Sequence, residues 1–217
     1  DLHRRRHFSL HDALPISSGK KRVKLIGVLV GVLVVLAIAG VVAITVVNTS
    51  RTPEAQVRKY LDLLAGGKGT EATEMVDPGV RNDQRVFLTD EAMASATSLL
   101  VVEDVVADTS GEDSNIAEVT ATMTVDGQRF THTFTVTADE AMMGLLNNWT
   151  ITDSLAVPVS VNGERIDQFS VGSVSASVGR SGVASRSSSF FFYPGVYTFT
   201  PVAPNEYVEA YPATVSV

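Results

Sequence analysis

The chain has no cysteine in 217 residues, which removes disulfides, thiol nucleophiles and thiolate metal sites at once. Histidine is nearly as scarce. Three of the four are His3, His7 and His11, so any acid–base chemistry in the body of the chain would have to rest on His132. Tryptophan occurs once, at Trp149. A lone indole makes at most a partial stacking platform with Tyr60 or Phe134, and a place in an apolar core is its expected use. There is no phosphate-binding glycine loop, dinucleotide fingerprint, zinc-ligand spacing or G-x-S-x-G turn, which argues against the common nucleotide, zinc and serine-hydrolase chemistries. Basic charge is short as well. From residue 51 onward ten Lys and Arg face twenty-two Asp and Glu, a balance of −12, a poor fit to phosphate-rich partners such as nucleic acid.

What the chain does have is a long apolar run, LIGVLVGVLVVLAIAGVVAITVV, over residues 25–47. As a helix it would reach about 35 Å, enough to cross the hydrocarbon core of a bilayer with a modest tilt. Lys20, Lys21, Arg22 and Lys24 crowd its N-terminal edge, whereas Asn48, Thr49 and Ser50 follow it. The positive-inside rule then predicts a single-pass plasma-membrane protein with a cytoplasmic N-terminus and everything after residue 50 outside the cell. The lipid bilayer is the first expected partner. The rival reading is a cleaved secretory signal, since Ala37-Ile38-Ala39 has the shape of a cleavage site. Gly27 and Gly31 form a G-x-x-x-G spacing that predicts a weak homodimer through the span.

Residues 1–16 lack an initiator Met, and Ser9-Leu10-His11-Asp12-Ala13-Leu14-Pro15-Ile16, read back into codons, resembles the end of a common short-read sequencing adapter. The segment is therefore expected to be translated contamination at the head of a disordered basic tail, 1–22, and is set aside from functional reasoning. The transmembrane helix is expected over 23–48.

Beyond it, the patterning falls into two parts. Thr52 as N-cap, Pro53 at the first helical position and Gly66-Gly67 as the stop predict a helix over 52–65, with Val57, Tyr60, Leu61 and Leu64 on one face. Shorter helices are expected over 70–76 and from Thr89 to about Leu100. The period then changes to two. Ala117, Val119, Ala121, Met123 and Val125 alternate with polar residues, Asp126-Gly127 marks a hairpin turn, and Phe130, His132, Phe134 and Val136 line the same face of the return strand. Strands are also expected over 101–107 and 149–155. After Leu155 the composition turns to Ser, Gly and Val. Asn162-Gly163 predicts a tight hairpin, and 190–200 a second hairpin-like unit around Pro194-Gly195.

The stretch TPEAQVRKYLDLLAGGKGTEATEMV, followed later by the Trp149-Thr150-Ile151 strand, resembles the nuclear-transport-factor-2-like (cystatin-like) outer domains of actinobacterial and other Gram-positive membrane proteins. Asn162-Gly163 and YPGVYTFT resemble small PEGA-like β-modules of bacterial surface proteins. The expected fold class is α+β: one transmembrane helix, a cystatin-like cone of helix and antiparallel sheet over 51–156, and a small, truncated β-sandwich-like module over 157–217. The first resemblance implies a cone that serves as a ligand pocket in some relatives and as plain core in others.

These readings point to a non-enzymatic, membrane-anchored binding, sensing or scaffold protein of the cell envelope, needing no cofactor or metal, whose partner is a wall component or another envelope protein. The alternative is a small-ligand pocket or hydrolase-like site in the cone, lined by Tyr60, His132, Trp149 and Asp153, with Asp153 at the right strand parity to assist His132. The acidic stretch 108–113 lacks the alternation of a calcium loop. Glu103-Asp104 and Asp139-Glu140 are sequence neighbours whose side chains diverge.

Overall fold

The computed structural model describes residues 36–39, 51–108, 115–142, 146–163, 167–181, 185–203, 205, 207 and 209–217. Helix α1 (Pro53–Ala65) begins where local chemistry dictates. Thr52 lies in extended backbone and its Oγ1 accepts the Ala55 N–H at 3.1 Å, while Pro53 sits in the first turn, where its missing N–H costs nothing. Val57, Tyr60, Leu61 and Leu64 form one fully buried stripe. Helix α2 (Gly69–Met75) follows, and α3 is a single turn, Asp90–Met93, capped by Thr89.

The third helix was expected to run on toward Leu100, and it stops early for a visible reason. Ser95 Oγ donates to the Ala92 carbonyl at 2.6 Å, and the Thr97 N–H goes to the Val196 carbonyl at 2.9 Å. Side-chain competition loosens the turn, and strand pairing then takes over the backbone. The result is β1 (Ser98–Leu99), paired with a strand some hundred positions later.

An antiparallel meander comes next: β2 (Val101–Asp108), β3 (Ile116–Val125), β4 (Gln128–Met142) and β5 (Leu146–Ile151), hydrogen-bonded in that order. The period-two face lies where expected, with Ala117, Val119, Ala121, Met123 and Val125 all buried. Asp126 and Gly127 both take positive φ, 49° and 76°, as a two-residue hairpin with right-handed strand twist demands. Helix α1 packs across this sheet.

The remaining strands are β6 (Val157–Gly163), β7 (Gln168–Val171), β8 (Val174–Ser177), β9 (Arg180–Ser181), β10 (Ser185–Phe192), β11 (Gly195–Pro201) and β12 (Ala213–Ser216). They form two sheets. One runs β6-β10-β9; the other joins β1, β7, β8, β11 and β12, with β12 along one edge of β11 and β1 and β7 along the other. Neither expected hairpin after Leu155 forms. Asn162 and Gly163 pair with Ser187 and Arg186 of β10, so they extend a strand instead of turning it. The Pro194-Gly195 corner carries the chain from β10 in one sheet to β11 in the other.

Two buried clusters share a wall. The first holds the α1 stripe, the inner face of the meander, Leu88, Met93, Tyr193 and Val196. The second holds Phe87, Ala92, Phe169, Val171, Phe190, Phe192, Tyr197 and Phe199. Adjacent residues thus face opposite ways at Phe87/Leu88, Ala92/Met93, Phe192/Tyr193 and Val196/Tyr197. The segments 51–156 and 157–217 each supply residues to both clusters, within the single compact unit Val47–Val217.

The expected fold class is corrected on these grounds. Among the described residues strand outweighs helix, so the molecule is mainly antiparallel sheet, with short helices, rather than a helix-and-sheet cone followed by a separate sandwich. The single-pass membrane helix and the plasma-membrane placement built on it are also corrected: among the described residues no helix is long and apolar enough to cross a membrane. Hydropathy measures what a run of that length would gain in lipid, not that the chain makes the helix. Of residues 25–47 only 36–39 are described, as helix, with Leu36 and Ile38 exposed. The tail 1–22, Gly27 and Gly31 lie outside the described residues, as does most of the acidic stretch after Asp108.

Candidate functional site

The four residues expected to line a pocket come from α1, β4, β5 and the segment after β5. Tyr60 is fully buried. Its hydroxyl lies 3.3 Å from Ser154 Oγ and accepts the Leu155 N–H at 3.1 Å. Nearby, Thr73 Oγ1 and the Tyr193 hydroxyl are 2.8 Å apart, and the Tyr197 hydroxyl donates to the Tyr193 carbonyl at 3.0 Å. These bonds tie α1, α2, the β5–β6 connection and the β10–β11 corner together through buried hydroxyls. Burial pushes the Tyr60 phenol up, against the opposing hydrogen bonds from Ser154, Leu155 and Tyr193. Burial and then the neighbouring Tyr60 push Tyr193 up further, and burial alone does so for Tyr197. All three therefore stay protonated at neutral pH and act as hydrogen-bonding struts.

His132 is half-buried on the inner face of β4, opposite Ala121. Its ring stands edge-on to Phe134, centroids 4.6 Å apart, and Phe134 in turn stands edge-on to Tyr60 at 6.0 Å. Phe134 thus contacts both rings. The Nε2 of His132 is buried with no hydrogen-bond partner. Burial lowers the imidazole pKa, and the negative charge of Asp153 raises it by a smaller amount. Asp153 is near enough to be felt, and its Oδ2 accepts the Thr135 N–H at 2.7 Å, which ties the carboxylate to β4. Trp149 packs, partly buried, against the first cluster, opposite Ala138. The structure therefore gathers Tyr60, Phe134 and His132 into one aromatic row with Asp153 beside it, while Trp149 contributes to packing.

The other acidic candidates have local tasks. Glu103 pairs with Arg129 across the sheet, and Asp104 Oδ1 accepts the Val105 N–H at 3.0 Å. No group of three or more His, Asp or Glu positioned to hold a metal occurs among the described residues.

Two surface concavities involve residues that the sequence did not single out. An apolar groove of about 190 Å³ runs over Phe169 and Phe199, with Asn162 and Tyr211 also lining it. A more polar pocket of about 270 Å³ lies between the loop carrying Asp83 and Gln84, the end of β8 and the middle of β10, at Ser177, Gly179 and Ser188. The serine run before Phe190 was the one available signal for the second. Its opposite wall, a hundred positions earlier, carries none.

The fold and its sites define a mainly antiparallel β protein whose polar buried groups brace the core. Comparison with known proteins adds no closer placement: no protein family, curated protein or solved structure matches the chain.

Proposed function

We propose that the chain is a non-catalytic module that binds a partner or serves as a scaffold. The observation that carries this reading is the state of its reactive side chains. Tyr60 and Tyr193 are buried hydroxyl struts, Asp153 is committed to the Thr135 N–H, and His132 packs edge-on to Phe134. A general base needs a partner within about 3 Å and an open approach; these four side chains make contacts that serve the fold. The expected test is rescue, in cells lacking the gene, by His132→Gln, which keeps a polar side chain of similar reach without its titration. Full rescue supports the module; lost rescue with unchanged melting overturns it.

A second reading is favoured by one specific observation. The Nε2 of His132 is buried without a hydrogen-bond partner, which suits a small-ligand or hydrolase-like site shared with Tyr60, Trp149 and Asp153. It predicts the opposite outcome of the same experiment.

A further inference from the structure

We propose that the polar pocket between the 83–84 loop, the end of β8 and the middle of β10 is a binding site for a neutral polyhydroxylated ligand, a saccharide unit. This rests on the binding-module reading above and names its ligand class.

Four observations point the same way. The walls are fixed in advance: the Phe191 N–H donates to the Gln84 carbonyl at 2.8 Å, clamping the loop to β10, and the Gly179 N–H donates to Ser188 Oγ at 2.8 Å. That second bond occupies an acceptor position on Ser188 and leaves its O–H free to donate. The available groups are a carboxamide and hydroxyls, each of which both donates and accepts. The side chains of Gln84 and Ser177 have no hydrogen-bond partner among the described residues, so these groups are unspent. A ligand rich in hydroxyls matches such a set more fully than one with a single polar atom.

Charge selects neutrality. The Asp83 carboxylate is held in a two-point pair by Arg81, at 3.0 and 2.9 Å. Arg81 lies outside the pocket lining, and the pair it makes with Asp83 carries no net charge. Phe190, nearly fully buried in the second cluster, adds apolar atoms to the pocket lining. At about 270 Å³ the space falls just below the roughly 300–1,000 Å³ typical of drug-sized ligands, the scale of one sugar ring. Preformed walls reduce the ordering cost that weakens small-ligand binding.

The test uses the full chain and ligand-observed saturation-transfer NMR with D-glucose and N-acetyl-D-glucosamine. Saturation transfer to at least one of the two is expected. Gln84→Ala, which spares the backbone clamp, should weaken that binding about tenfold, the loss of one to two hydrogen bonds, with melting unchanged. Tyr211→Ala, in the separate apolar groove, should leave it as it was. The proposal is overturned by absent transfer to both sugars, by equal binding in Gln84→Ala, or by loss of the sugar signal when equimolar inorganic phosphate is added as competitor. Any of these alongside full rescue by His132→Gln removes the ligand and leaves the module; failed rescue with unchanged melting removes the module whatever the sugars do.

Discussion

Phe87→Ala is the substitution that most directly probes how the molecule is held together. Phe87 belongs to neither a helix nor a strand, yet it is fully buried in the second cluster. Its ring stacks on Phe192 at 4.7 Å and on Phe169 at 5.4 Å, and meets Phe190 edge-on at 5.5 Å. Truncating a buried Phe costs about 3–5 kcal/mol. Each well-placed aromatic pair adds about 0.5–1.5 kcal/mol beyond area burial, so a loss at the upper end of that range, about 4–5 kcal/mol, is expected. Against the roughly 5–15 kcal/mol of a whole domain, that is a large share. Phe87→Leu keeps most of the volume and forfeits the stacking, so a cost of about 1–2 kcal/mol is expected.

Trp149 makes the assay discriminating, because it is the single tryptophan and packs against the first cluster, away from the mutation. Urea unfolding followed by Trp149 fluorescence and by far-ultraviolet circular dichroism should give coincident midpoints in wild type and variant, both shifted down together. The Phe87/Leu88 and Phe192/Tyr193 pairs that face opposite clusters require it. Retention of the wild-type fluorescence midpoint while the dichroism becomes biphasic would refute a shared wall. A total loss under about 1 kcal/mol would refute the packing argument itself.

Three further outcomes are expected. Tyr60→Phe strips the acceptor from the buried Leu155 N–H and should cost about 1–3 kcal/mol in urea unfolding, with the methyl-sized change in volume contributing little. Gly127→Ala and Gly172→Ala both force a side chain into positive φ, 76° and 57°, but a Cβ at 127 meets nothing within 4 Å whereas one at 172 would lie 2.5 Å from Ser95 Cβ; the first should cost about 1–2 kcal/mol and the second clearly more, compared by thermal melting. Because burial depresses the His132 pKa below its ordinary 6.5, the unfolded chain takes up that proton first. The stability this neutral imidazole contributes is full above about pH 6.5 and is lost as pH falls through the depressed folded value; urea midpoints between pH 7.5 and 5 should fall less steeply in His132→Gln than in wild type.

Legibility in the sequence followed the reach of the interactions. The cap at Thr52, the stripe from Val57 to Leu64 and the turn at Asp126-Gly127 depend on residues within one or two turns of each other, and each could be read directly. The inner face of β3 was equally plain, because alternation is a local property. The Asn162-Gly163 pair misled: its local preference for a turn yields to pairing with Ser187 and Arg186. The short α3 misled in the same way, since the Thr97 N–H that would have extended the helix meets Val196 instead. The apolar run misled by a different route, for its hydropathy is real whether or not a spanning helix forms. At the candidate site, strand parity correctly put His132 on the inner face with Phe134. It could not show that Asp153 would spend its oxygen on Thr135. The pocket between the 83–84 loop and β8–β10 was out of reach, because its walls are far apart in the chain.

The wall that the two clusters share also sets a timetable. Thr97 and Val196 stand ninety-nine positions apart, and Tyr193 and Val196 close a core that α1 and the meander open. During synthesis at about 5–20 residues per second, the Val57–Leu64 stripe leaves the ribosome many seconds before its last neighbours exist. Long-range pairing of this kind is slow to form and leaves apolar surface uncovered meanwhile. The newborn chain therefore keeps this stripe uncovered until its last strands are made, and one cut at residue 156 would go on doing so.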